Sequence, residues 1–411
     1  MKSTLLFTLA LFAAQSFAAT PAETAIKQAI GNIEKQPAHY PYYNTLAMAY
    51  ARRARETSDV RFYAQAEETL QKSFAIAPGN FDSLKVEAWL QLGRHEFGKA
   101  LETATRLNKM APDDVAVYGY LVDANAELGN YKEAVAAAQW MLDLRPGNVA
   151  GLVRASYLRE LHGNLSGALE LMQMAYDSAP SSESEDQAWL LTQMAHLQLV
   201  SGDLAKAEMY ATGALGVFPD YHYALGALAQ VRIAQARYQD AVTLLAKRYT
   251  AAPHAENLYA LAEAQALAGR QEDAADSFGT FEIQSRAESA QADNSKHELI
   301  SYYIDHSGET AKALKIARRE LERRHDVFTL DNYAWALAAS GDYQAADVQI
   351  QEALAVGVKD PKLLFHAGAI ALHLQQTDKA AAYLKDAAAR HSRDAANLLR
   401  NLPAKAGAEG N

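Results

Sequence analysis

His366 and His373 stand seven residues apart, a spacing that puts both imidazoles on one helix face, two turns from each other. Metal binding is the chemistry such a pair invites. Two turns is too far for one ion without a third ligand, so no metal is expected here. The other histidines are scattered, and His306 and His325 fall near helix ends, where imidazole is an ordinary surface group. Arg318, Arg319, Arg323 and Arg324 could grip a phosphate, but Glu320, Glu322 and Asp326 interleave with them and favour a solvated helix face. Arg52, Arg53 and Arg55 would sit near a helix C-terminus, facing the negative end of its dipole. The sequence carries no G-x-S-x-G elbow, no H-E-x-x-H pair and no phosphate loop ending in G-K-[ST]. It contains no cysteine, which removes thiolate chemistry and disulfides together. Neither catalysis nor a cofactor is expected of this set.

The elements that carry these residues are marked out by proline. Pro78, Pro112, Pro146, Pro180, Pro219 and Pro253 are separated by 34, 34, 34, 39 and 34 residues. A fixed period of that length is the mark of a solenoid of helix–turn–helix units. Within Phe81–Asp114, a first helix stops at Gly93, a second ends near Met110, and Pro112 blocks its continuation. Tyr118, Leu121, Gly129, Ala134, Ala138 and Pro146 repeat the layout one period later. Half of the 411 residues are apolar, and a formal charge of −10 leaves no basic face for nucleic acid. Lys2, the apolar run Leu5–Ala14 and Ser16-Phe17-Ala18 read as a cleavable export signal over 1–18. No later stretch is apolar enough to span a bilayer, so no membrane insertion is expected. An exported, cysteine-free chain points to a Gram-negative periplasm, with full secretion as the other address.

Gly129-Asn-Tyr-Lys-Glu-Ala134, Gly202-Asp-Leu-Ala-Lys-Ala207 and Gly341-Asp-Tyr-Gln-Ala-Ala346, in phase with the prolines, resemble the tetratricopeptide repeat family over residues 40–392. That family places small residues where its two helices touch, and this resemblance implies an all-α, right-handed solenoid of about ten stacked units. The expected organisation is a lead-in or capping helix over 19–39, units 1–7 over 40–287, units 8–10 over 288–392, and a capping helix and disordered tail over 393–411. Two irregularities stand out. Ser181–Asp186 adds five residues, three of them carboxylates, and Gln284–Ser295 is polar enough to be a boundary, or else a longer helix with its loop.

The resemblance also implies that the first helix of each unit lines a concave groove. Carried onto this sequence, its inner positions place Lys85, Trp89, Tyr157, Trp189, His196, Tyr223 and Gln230 in the groove. A phase error of one residue would instead turn the aromatics into core. Exposed aromatics beside polar groups serve as anchors at interfaces. The family's chaperone-tail branch clamps a carboxylate with Lys and Asn; Lys85 matches, but Trp89 stands where that clamp needs Asn. The expectation is a non-catalytic periplasmic scaffold for a peptide or protein partner. The alternative is a cell-envelope assembly or export factor that engages a membrane complex or a glycan polymer. Self-association through an end of the array is a further expectation.

Overall fold

The computed structural model describes residues 20–57, 59, 61–288 and 296–402. The expected export signal, residues 289–295 of the candidate boundary and the expected tail over 404–411 lie outside these described residues. Twenty-two helices and no strand are found among them. A lead-in helix, α1 (Pro21–Lys35), precedes ten helix–turn–helix pairs. The first five pairs are α2 (Tyr40–Thr57) with α3 (Arg61–Ile76), α4 (Phe81–Gly93) with α5 (Phe97–Met110), α6 (Val115–Glu127) with α7 (Tyr131–Leu144), α8 (Val149–Leu161) with α9 (Leu165–Ser178), and α10 (Ser184–Val200) with α11 (Leu204–Val217). Then come α12 (His222–Ala234) with α13 (Tyr238–Ala251), α14 (Ala255–Leu267) with α15 (Gln271–Glu288), α16 (His297–Asp305) with α17 (Thr310–Leu321), α18 (Val327–Ala339) with α19 (Tyr343–Ala355), and α20 (Pro361–His373) with α21 (Thr377–Ala389). A short helix, α22 (Arg393–Arg400), lies against the last pair. Each pair packs on the next, so the chain is the all-α solenoid that its proline spacing predicts.

Local chemistry sets the punctuation. The prolines fall in tight turns between units: the Asn80, Asp114 and Asn148 amides donate to the carbonyls of Ala77, Ala111 and Arg145, across Pro78, Pro112 and Pro146. The same Asn80, Asp114 and Asn148 side chains then cap the next helix, accepting from the amides of Ser83, Val117 and Gly151 at 2.8, 3.1 and 2.7 Å. In nine of the ten units one alanine makes the close approach inside the pair. Ala66, Ala100, Ala134, Ala168, Ala207, Ala241, Ala313, Ala346 and Ala380 are all wholly buried. Anything larger would hold the two helices apart. At α1, Thr20 and Glu23 form a capping box, and Glu56 accepts from the Thr20 hydroxyl at 2.6 Å.

The stack curls far enough to meet itself. Arg52 and Arg55, near the end of α2, reach the inserted carboxylates before and at the start of α10: Arg52 pairs with Glu183 at 3.1 Å, and Arg55 with Glu185 and with Asp186, the latter at 3.1 Å. Their role is therefore more than meeting a helix dipole. Further along, Arg324 pairs with Glu127, almost two hundred residues away, and one buried apolar cluster joins Val122, Ala134 and Leu161 to Val327, Leu330 and Leu363. The basic run expected to be a solvated face is thus divided. Arg318 and Arg319 are exposed, while Arg324 is held at the contact between superhelical turns.

Candidate functional site

Several charges on the first helices of the units are spent on neighbouring units. Lys85 on α4 pairs with Asp114 at 2.7 Å, Arg154 on α8 with Asp123 at 2.6 Å, His196 on α10 with Glu160 at 2.6 Å, and His366 on α20 with Asp331 at 2.8 Å. His306 makes a similar contact with Glu263. His373 stacks on Tyr343 instead, with ring centroids 4.1 Å apart, so the two histidines of α20 serve different partners. Among the described residues, no three His, Cys, Asp or Glu side chains converge to hold a metal ion.

The seven groove residues separate into two groups. Trp89 is half-buried and packs into two apolar clusters, one formed with Leu70 and Val86, the other with Leu84 and Leu107. Tyr157 is half-buried against the cluster that joins the two superhelical turns, and burial pushes its hydroxyl pKa well above the ordinary value. Trp189 packs with the Leu190 and Met194 cluster. Tyr223 sits 3.9 Å from the His222 ring, and burial pushes its hydroxyl up to about 12. Lys85 is committed to Asp114, as above. These five pack against neighbouring helices more than they protrude.

His196 and Gln230 form the second group. Together with Thr192, Gln193, Ala195, Leu199 and Ala227 they line a cavity of about 250 Å³ between α10 and α12. Ala195, Leu199 and Ala227 give it an apolar floor. The side-chain amides of Gln193 and Gln230 have no hydrogen-bond partner among the described residues, and Gln230 is exposed. Burial lowers the His196 pKa, but its hydrogen bond to Glu160 and the nearby charges of Glu160 and Asp360 outweigh that, and the net shift is upward. The cavity offers amide donors and acceptors, an apolar floor and one imidazole beside a carboxylate. It can hold an extended chain by hydrogen bonds and apolar contact; it has no nucleophile–base pair. Gln193, Ala195 and Ala227 were absent from the expected set, because a position in the repeat does not tell which side chains border a gap between two helices.

Comparison with known proteins bears on the second to fourth pairs and on the fold. The family model for the tetratricopeptide repeat matches residues 85–149 and 127–183, and the pairs on either side continue the same stack. Two solved structures share the overall fold. The crystal structure of the APC/C hetero-tetramer Cut9–Hcn1 has a TM-score of 0.51 at 14% identity, over 93% of this chain and 67% of that one. A monomeric mutant of IFIT1 with Gppp-AAAA has a TM-score of 0.50 at 13% identity, over 89% of this chain and 86% of that one. Identities this low speak for the fold alone. No curated protein matches the sequence.

Proposed function

We propose that this tetratricopeptide-repeat solenoid is a non-catalytic interaction scaffold of the periplasm, which holds a peptide or protein partner on its concave side. One observation carries the reading. The inner surface has spent its charges on neighbouring helices everywhere named above, yet between α10 and α12 it keeps two unpaired amides over an apolar floor. Amides spaced along an apolar strip suit the backbone and alternate side chains of an extended peptide. The periplasmic address is supported by the Lys2, Leu5–Ala14 and Ser16-Phe17-Ala18 pattern and by the absence of cysteine.

The test is photo-cross-linking in cells from a reactive side chain at Gln230, with one at exposed Lys132 on α7 as the control. One partner captured from position 230 and not from 132, with capture lost in Gln193→Arg, is the expected result. Equal capture from both positions, or self-links only, would sink the reading. A glycan held in place of a protein would favour the cell-envelope polymer as ligand.

A further inference from the structure

Neighbouring units lean together on one side of the stack. Their first helices touch, α2 with α4, α4 with α6, α6 with α8, α10 with α12, α16 with α18 and α18 with α20, while no two second helices of neighbouring units come as close among the described residues. A stack curves toward the side where its helices crowd, so the first helices line the concave side.

The curve is tight enough to bring the edges of the stack together along two seams. At the first, the end of α2 in unit 1 meets the starts of units 5 and 6: Arg52 pairs with Glu183 at 3.1 Å, and the His222 ring lies 3.1 Å from the Arg55 carbonyl. At the second, the turn inside unit 3 lies on the link after unit 8, where the His325 amide donates to the Glu127 carbonyl at 3.0 Å. The turn inside unit 4 lies on the link after unit 9, and that inside unit 5 on the end of unit 10, where Arg390 donates to the Val200 carbonyl at 2.6 Å. A β-carbon on Gly129 would fall 2.7 Å from the His325 carbonyl oxygen, and one on Gly163 would meet the Gly357 carbonyl closer still, so backbone lies on backbone. The buried cluster through Val122, Leu161, Val327 and Leu363 seals the same line. Both seams join parts of the stack about five units apart, so the ten units make about two closed turns.

The width of such a coil follows from helix size. Five inner helices packed at about 8–10 Å set their axes on a circle roughly 14–17 Å across. Each helix with its side chains is about 10–12 Å thick, which leaves a bore less than about 10 Å wide. The cavity beside Gln193, His196 and Gln230 agrees: it holds only about 250 Å³, below the roughly 300–1,000 Å³ of ordinary small-molecule sites. One inner helix away, Tyr157 is packed into the cluster that joins the two turns. An extended chain, which lies about 5 Å from its neighbours in a sheet, fits such a bore; an α-helix does not.

We infer that the concave side is the bore of a closed coil, which takes the unfolded, extended end of a polypeptide fed in along the superhelix axis and excludes helices and folded domains. This rests on the reading above in taking the concave side as the binding side. A folded partner could reach Gln230 only if a seam parted, and the buried cluster holds the second seam shut.

The chain has no native cysteine, so a single introduced one reports access. Gln230→Cys borders the cavity, while Glu170→Cys, exposed on the second helix α9, is the outside control. Each is labelled with N-ethylmaleimide, with a maleimide on the free end of a flexible Gly-Ser peptide, with one on the end of a stapled helix of the same mass, and with one fixed to the surface of a folded domain. The first two should label both cysteines readily. The stapled helix and the folded domain should label Glu170→Cys as readily and Gln230→Cys many-fold more slowly. Equal access of the stapled helix or the folded domain to both positions would overturn the closed bore, and so would failure of the Gly-Ser peptide to reach Gln230→Cys. If Gln230→Cys loses helical circular dichroism, Gln193→Cys on the other side of the cavity must give the same pattern. Labelling reads the bore with no partner present, so a failure here and a failure of the cross-linking at position 230 are told apart.

Discussion

Glu185 shows what a single residue contributes where two parts of the superhelix meet. Its carboxylate is wholly buried, accepts from the Tyr221 hydroxyl at 2.6 Å, and pairs with Arg55. Removing it leaves the buried Tyr221 hydroxyl without its acceptor, while Arg55 keeps Asp186 at 3.1 Å. Glu185→Ala should therefore cost about 1–3 kcal/mol in chemical denaturation. By contrast the exposed Glu68, paired with Lys72 inside α3, should cost less than about 1 kcal/mol when changed to Ala. A Glu185→Ala loss no larger than that of Glu68→Ala would show the knot to be dispensable. Both halves of this knot are visible in the sequence, Arg52 and Arg55 as a basic run near a helix end and Ser181–Asp186 as an insertion before the fifth unit. Their meeting is not. It depends on how far the stack has turned over some 130 residues, a sum of small rotations that no local pattern encodes.

At the scale of the element, the repeat was almost wholly legible, because its physics is local. Proline ends a helix, Asn or Asp caps the next, and in nine of the ten units one alanine sets the gap between the pair. Ala168 illustrates the gap: the Ser156 hydroxyl on α8 donates to the Ala168 carbonyl on α9 at 2.7 Å, so the two backbones are nearly in contact there. Ala168→Leu must push α9 off α8 and should destabilise by about 1–3 kcal/mol. Ala205→Leu, at an exposed site on α11, should change stability by less than about 0.5 kcal/mol. Equal thermal midpoints for the two variants would mean the contact tolerates repacking. The groove was less legible for a related reason. Trp89, Tyr157, Trp189 and Tyr223 stand at the repeat positions expected to face the groove, but their rings pack against the apolar clusters of neighbouring helices. Repeat position fixes the direction of a side chain; what lies beside it depends on its neighbours' sizes.

For the molecule as a whole, the two seams bring buried imidazoles together with arginines, and this ties closure to pH. His222 lies where unit 6 meets unit 1, its ring 3.1 Å from the Arg55 carbonyl, and burial lowers its pKa to about 4. His95 and His297 lie beside Arg324, and burial lowers them to about 3 and about 4. A histidine lowered in the folded state stays neutral there while the unfolded chain takes up its proton. Its contribution is present above the ordinary value of 6.5 and is lost as pH falls toward the folded value. For His222 the full loss is roughly 3 kcal/mol, at ~1.4 kcal/mol for each pH unit. Glu127 acts in the opposite sense. Burial raises it to about 7, so protonating it favours the folded chain as pH falls from there toward its ordinary 4.5. Below that range only the imidazoles remain to titrate among these four groups, and the unfolding midpoint should drop steeply toward pH 4. His222→Gln removes one of them and should flatten the drop while leaving the neutral-pH helical signal intact. Parallel pH profiles for the two proteins would show that His222 is not what acid attacks at the seam between units 1 and 6.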